Sequence, residues 1–400
     1  MILPREAWRR NQWVMVATVF VVFTGFAFVL PFLPLYVREL GVEDEEKAAL
    51  WAGVLIGVAP LLAGLLAPVW GRLADRYGQK GIAAKALVAY VVLLVLSAAV
   101  TDVLQLLALR VGIGLFGGIG PLGLAMATSL GPREETGKAV GMIQAAQILS
   151  AAIGPFTGGF LADTIGIRRT FIVTAALCAV ALALVLRYYK EAPRPPVDAA
   201  GDGSAGFRSV VRLPRVVPLL AVLFLVSFIG RSFTPILPLH LAELGVARDR
   251  LASYTGMLIS AYSIAAALSA TLLGRAAKAR PPNGLLAATL AGGAACVLPM
   301  ALVPSFPPLL GLAVLLGLAA GGSLTLCYTI GGLLVPGEVR TTAFGFFSGA
   351  ALFGGAVSPT FAGLLAHWEL RGIYYVDAAL YAVLAMALLS RPRKALESSG

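Results

Sequence analysis

Two arginines stand inside otherwise apolar stretches of this 400-residue chain, Arg110 and Arg231. A charge at the centre of a membrane helix costs at least about 2.5–3.5 kcal/mol on insertion scales, so each must face a water-filled cavity or a partner rather than lipid. Arg110 lies only a few residues into its stretch, and reaching back to the outer interface is its alternative. Arg231 lies deep in its stretch and is expected to line a substrate cavity. Of 20 acidic residues only Asp377 falls convincingly within an apolar stretch, near its outer end; Asp75, Asp102, Asp163, Glu39 and Glu243 stand at helix ends or in connections. That distribution disfavours an acid-lined, cation-binding cavity. Protons, if carried, must use Asp75, Asp377 or Glu39, or depend on Arg110.

Gln144 and Gln147 stand at i and i+3 on one helix face, where amides suit either a watery cavity or bonding between helices. Phe28, Phe32, Phe233, Tyr262, Tyr328 and Phe347 fall on expected cavity faces. Together they would offer lipophilic molecules area and shape; singly, each also reads as ordinary packing. The segment Gly71-Arg72-Leu73-Ala74-Asp75-Arg76-Tyr77-Gly78-Gln79-Lys80 reads as a loop in which Gly71 allows close approach and Gly78 a turn with positive φ. Asp75 there can cap a helix or pair with a basic neighbour such as Arg76, making a latch that breaks when the surrounding parts move. A solvated basic loop is the plainer reading. Gly154-Pro155-Phe156-Thr157-Gly158-Gly159 combines a small-residue face for close packing with a proline that bends its helix.

Other chemistry is excluded. Gly112, Gly114 and Gly117 match a dinucleotide fingerprint without the strand that must precede it. Gly131, Gly137 and Lys138 miss the spacing of a phosphate loop. With only His240 and His367, no His-Glu-x-x-His and no paired membrane carboxylates, nothing supports hydrolytic or metal chemistry, so no enzyme, cofactor or metal is expected. Cys178, Cys296 and Cys327 are few and embedded in apolar segments, where they pack as small hydrophobes.

The elements that must position these residues are membrane helices. Hydrophobic residues make up 59% of the chain and charged ones 13%, against about 25% charged in soluble domains. Twelve helices are expected near 13–36, 49–70, 82–100, 104–126, 138–161, 168–187, 216–240, 252–273, 284–303, 308–330, 341–365 and 371–390, each of spanning length. With the N-terminus inside, cytoplasmic segments hold 22 Lys and Arg and outer loops 7. Both termini are therefore expected in the cytoplasm and the chain in the inner (plasma) membrane. The net charge of +11 follows from that topology and does not imply nucleic acid, because no groove-reading basic patch forms.

The chain is also written twice. Pro31–Val42 realigns with Pro235–Val246 at an offset of 204 with eight of twelve positions identical, and Leu106–Gly118 with Leu309–Gly321 at 203 with seven of thirteen. Trp51-Ala52-Gly53 meets Tyr254-Thr255-Gly256, Gly71-Arg72 meets Gly274-Arg275, and Gly141 and Pro155 meet Gly345 and Pro359. An even number of spans per copy makes the copies parallel repeats. The reading is an all-α membrane protein: a six-helix bundle over 1–187, a Pro- and Gly-rich cytoplasmic linker over 188–215, and a second bundle over 216–400. Two such bundles can rock so that a site between them faces either side.

In these motifs the chain resembles the major facilitator superfamily, and its twelve-span drug:proton antiporters in particular. The segment 71–80 matches the family's G-x-L-a-D-r-x-G-r-k, with Gln79 in place of a basic residue. Arg110-Val111-Gly112-Ile113-Gly114 is similar to its R-x-x-q-G without the polar q, and residues 154–159 to the antiporter motif G-P-x-x-G-G. Pro31–Tyr36 together with Trp70–Arg76 is similar to MdtG-type bacterial multidrug exporters. The resemblance implies the major facilitator fold and export of lipophilic or amphipathic compounds by proton antiport. It further implies Arg110 as a proton sensor or relay, and a span-5 motif that seals the cavity against leak. Implied partners are a small-molecule substrate, protons and the lipid bilayer, with the protein a monomer. A transporter of a sugar or organic anion is the alternative, which the two arginines would suit.

Overall fold

The computed structural model describes residues 5–117, 119, 126, 136–191, 213, 215–335 and 340–390. Among them every regular element is helical: α1 (Arg5–Ala27), α2 (Leu33–Glu39), α3 (Glu45–Tyr77), α4 (Gln79–Ala99), α5 (Val103–Leu115), α6 (Thr136–Ile165) and α7 (Ile167–Tyr188), then α8 (Val216–Ile229), α9 (Leu237–Glu243), α10 (Leu251–Ala276), α11 (Pro282–Met300), α12 (Phe306–Ala320), α13 (Ser323–Leu334), α14 (Arg340–Leu365) and α15 (Gly372–Leu389). Ten segments are long and apolar enough to cross a membrane, and the shorter apolar α5 and α8 occupy the two remaining expected positions. Large apolar side chains such as Leu65, Leu104 and Leu333 stand more than 60% exposed around the outside, as a surface solvated by lipid requires.

Four expected helices are interrupted, in two matched pairs. The first span turns at Phe28 and Val29 and continues as a short 3-10 segment, Leu30–Phe32, before α2; the seventh turns through 230–236 before α9. Pro31 and Pro34, and Pro235 and Pro238 at the same offset, explain both: each lacks an N–H and its ring clashes with the carbonyl four residues back. Spans four and ten stop at Phe116–Gly117 and Gly321–Gly322. The segment 71–80 differs from expectation in the other direction. It is not a loop, because α3 continues to Tyr77 and only Gly78, at φ +98°, separates it from α4. Gly71 and Asp75 therefore belong to the last turns of a helix, and their side-chain surroundings lie outside the described residues.

Two buried apolar clusters form, one from α1–α7 and one from α8–α15, each borrowing a single alanine from the other repeat, Ala252 and Ala49. At the end carrying the chain termini, Lys80 Nζ donates to the Leu186 carbonyl (2.9 Å), and Asn11 and Lys190 exchange two hydrogen bonds, closing the first cluster there. The linker expected at 188–215 falls mostly outside the described residues.

Candidate functional site

The two repeats meet along two seams, α3 on α14 and α6 on α10. Glycine sets the spacing of both. A Cβ on Gly256 would run into the Pro155 carbonyl oxygen, and one on Gly159 into that of Ala252. In the other seam the same holds for Gly53 against Pro359 and Gly363 against Ala49. These four pairs map onto one another at offsets of 203 and 204, so the internal repeat appears in space as two equivalent contacts. With no side chain between them, the backbones touch.

Hydrogen bonds across the seams reinforce the contact. Phe156 N–H donates to Ser260 Oγ at 3.0 Å, taking an acceptor from the opposite repeat beside the proline, and Thr360 Oγ1 donates to the Gly53 carbonyl at 3.2 Å. At the end away from the termini, Asp163 accepts from Ala252 N–H (3.2 Å) and Ser253 N–H (2.7 Å). A carboxylate at the end of one helix thus caps the N-terminus of a helix in the other repeat, where its charge meets the positive end of the dipole. At the equivalent place in the second seam, His367 Nδ1 stands 3.2 Å from Glu46 Oε2. The repeats are therefore closed against each other at the end that carries Asp163 and His367. Outside this closure lies an open depression of about 1050 Å³ whose lining includes Glu39, Glu43, Asp163, Glu243 and Asp249.

The span-5 glycines divide between two neighbours. Gly154 and Gly158 face α1, where added Cβ atoms would meet Ala27 and the Phe28 backbone; Gly159 and the Pro155 carbonyl face α10 across the seam. The motif thereby fixes the broken first span to the closed interface.

The break in the seventh span gathers the polar groups. Arg231 is exposed within the break and forms no ion pair among the described residues. Its stem fills the space beside Gly355, where a Cβ would lie 3.0 Å from Arg231 Cδ. Phe233 and Tyr262 pack edge to face with centroids 5.9 Å apart, and Tyr262 lies within electrostatic reach of both Arg231 and Asp377. Asp377, fully buried, accepts a short hydrogen bond from Ser232 Oγ, while its Oδ1 has no partner among the described residues. Ser232 and Asp377 stand 145 positions apart in the chain, and the break brings them into contact.

Other candidates lie elsewhere. Arg110 is 1% exposed, with Nε and Nη2 unpartnered among the described residues. Phe28 and Phe32 are buried at the first break. Tyr328 and Phe347 join Phe344 in an aromatic cluster between α13 and α14, with Phe347 wholly enclosed against Gly331. Gln144 is exposed and Gln147 half-buried on α6. Arg76 lies 5.4 Å from the Tyr77 ring centroid.

Asp163, Ser232, Ser260 and the Glu46–His367 pair were not singled out by sequence reasoning. The signal was present for two of them: the offset of 204 carries Asp163 onto His367.

The model of the family described as Major Facilitator Superfamily matches residues 15–254 and 251–400. The multidrug resistance protein MdtG of Proteus mirabilis is 30% identical over 381 residues, 94% of each chain, and that of Yersinia enterocolitica is 32% identical over 387, 96% of this chain and 92% of the other. Among solved structures, an inward-facing bacterial homolog of the human lysosomal transporter Spinster superposes with a TM-score of 0.76 at 17% identity, covering 97% of this chain and 96% of that one. A D-xylose–proton symporter superposes with 0.76 at 16%, covering 95% and 97%. Its repeated helical halves, its polar broken span and these matches over nearly its full length agree: the chain belongs to the Major Facilitator Superfamily and is a membrane transporter, not an enzyme.

Proposed function

We propose that the protein exports lipophilic or amphipathic compounds in exchange for protons, by alternating access between two six-helix halves, with both termini in the cytoplasm. The observation that carries this reading is the pair of helix breaks at equivalent positions of the two repeats, beside seams held shut at the Asp163–His367 end by backbone contact, a helix cap and the Glu46–His367 pair. Interrupted spans in corresponding places supply the non-helical backbone and side chains that a midplane site needs. The closed end is the outer one, where the few basic residues lie. The MdtG relatives are multidrug resistance proteins, in keeping with the aromatic pair Phe233 and Tyr262 at the break.

The test is efflux of a lipophilic fluorescent dye from cells expressing the protein, with and without a protonophore. Efflux should collapse with protonophore. Asp75→Asn should abolish it while leaving folding and expression near normal, because that variant removes a charge and no packing volume; unchanged efflux would remove Asp75 from the coupling machinery.

A second reading, transport of an organic anion, draws on the accessible, unpaired Arg231. Under the first reading Arg231→Ala should change the order of preference among substrates more than the dependence on protons. Competition experiments with anionic and neutral dyes measure this directly. An equal loss for every substrate would place Arg231 in the fold or the coupling machinery instead.

A further inference from the structure

Between the broken seventh span and α15 the polar groups are arranged as a ladder. Arg371, Tyr374 and Asp377 follow one another at three-residue intervals on one face of α15 and its cap. Opposite them stand Glu243 and His240 on α9 and Ser232 in the break. Glu243 Oε2 accepts from Arg371 Nε at 3.0 Å, His240 Nδ1 lies 3.0 Å from Tyr374 Oη, and Ser232 Oγ donates to Asp377. The first rung is part-exposed, with Glu243 lining the open outer depression; the side chains of the second and third are fully buried. Beyond the third, Arg231 is again accessible. A row of polar pairs thus runs from the closed outer surface, through the apolar interior of one half, to the break.

Burying four polar side chains this way costs stability unless they are fully bonded, and these are not. His240 Nε2 and Asp377 Oδ1 are both buried without a partner among the described residues. Successive rungs are one helical turn apart, about 5–6 Å, a separation that one water bonded to such orphan atoms spans. An inert structural network would satisfy its members. A relay needs atoms free to exchange a proton.

We propose that this ladder conducts protons from the outer surface to Asp377, and that Asp377 is the carboxyl whose proton is exchanged for substrate at the break. The proposal rests on the proton-antiport reading above. A proton from outer water passes by Glu243 to one ring nitrogen of His240. His240 releases one toward the Tyr374 hydroxyl, which hands its own on to the Asp377 carboxylate, and histidine and tyrosine both end neutral. Substrate entering beside Arg231, Phe233 and Tyr262 then displaces the Asp377 proton toward the inner side. The groups facing Asp377 are Ser232 in the break, Tyr262 on α10, and Tyr374 and Tyr381 on α15, with Arg231 beyond Tyr262 and Cys296 of α11 beyond Tyr381. None is a second carboxylate.

Purified full-length protein in weakly buffered detergent solution provides the test. Nile red, a neutral dye, is titrated in while bound dye and released protons are recorded together. The wild type should release protons on binding dye; Asp377→Asn, which stands in for the protonated carboxyl, should bind dye more weakly and, at saturating dye, release none. In proteoliposomes, His240→Asn and Tyr374→Phe should slow transport driven by an imposed pH gradient while leaving proton release on dye binding intact, since Asp377 remains. Proton release from Asp377→Asn equal to wild type would overturn the assignment. Unslowed transport by both relay variants would overturn the pathway. A wild type that binds dye, releases no proton and exports it despite protonophore would instead sink the antiport reading, and the ladder with it.

Discussion

Gly256→Val should abolish transport and hold the two seams apart. The new Cβ would occupy the place of the Pro155 carbonyl oxygen, and backbone cannot rotate away as a side chain can. Overpacking of this kind costs about 1–3 kcal/mol where the site yields and more where it does not. Because the contact exists only while the repeats are closed here, the penalty falls on that conformation rather than on the fold of either half. At about 1.4 kcal/mol per tenfold, the closed population should drop by roughly one to two orders of magnitude. A disulfide reporter reads this out: Glu46→Cys with His367→Cys, whose native side chains stand 3.2 Å apart in the other seam, in a background lacking the native cysteines. Its cross-linking yield should be high alone and low with Gly256→Val. Gly141→Ala is the control, since a Cβ there meets nothing within 4 Å. Full cross-linking and full transport in Gly256→Val would mean that the α6–α10 seam can part without consequence.

The second large effect belongs to Asp163→Ala. Asp163 accepts two backbone hydrogen bonds from the first turn of α10, and losing an N-cap costs about 0.5–2 kcal/mol. Asp102 offers the comparison, because it caps α5 within its own segment through Leu104 N–H (2.8 Å) and Gln105 N–H (2.9 Å). Both substitutions remove a cap of the same kind. Asp102→Ala should lower the melting temperature and leave the Glu46–His367 cross-link unchanged. Asp163→Ala should lower the cross-link yield with little change in melting temperature, because Asp163 and the two amides it caps belong to opposite repeats. Identical behaviour of the two variants would show that Asp163 acts as a local cap and not as a clasp across the seam.

Glycine and proline carried much of the information that the sequence offered. Pro31 and Pro34 recur as Pro235 and Pro238 at the offset of the repeat, and each pair marks a break that hydropathy alone runs straight through. Hydropathy averages over about 20 residues and does not register a missing N–H. The same averaging assigned 71–80 to a loop. Its charged residues lower the hydropathy, yet nothing in them stops a helix before Gly78, where φ +98° does.

Composition, apolar run lengths and the constant offset determined by themselves that this is an all-helical membrane protein built from two copies of one unit. The physical reason is that lipid leaves the backbone no solvent to bond, so a span must be helical and its length is readable from its residues. The tertiary structure decided which side chains meet. Ser232 donates to Asp377, His240 faces Tyr374, and Asp163 caps a helix that begins 88 positions later, at Leu251, because helices distant in sequence pack together, the last pair at a glycine-thin crossing. Those crossings depend on packing between surfaces, and surface complementarity has no local signature along the chain.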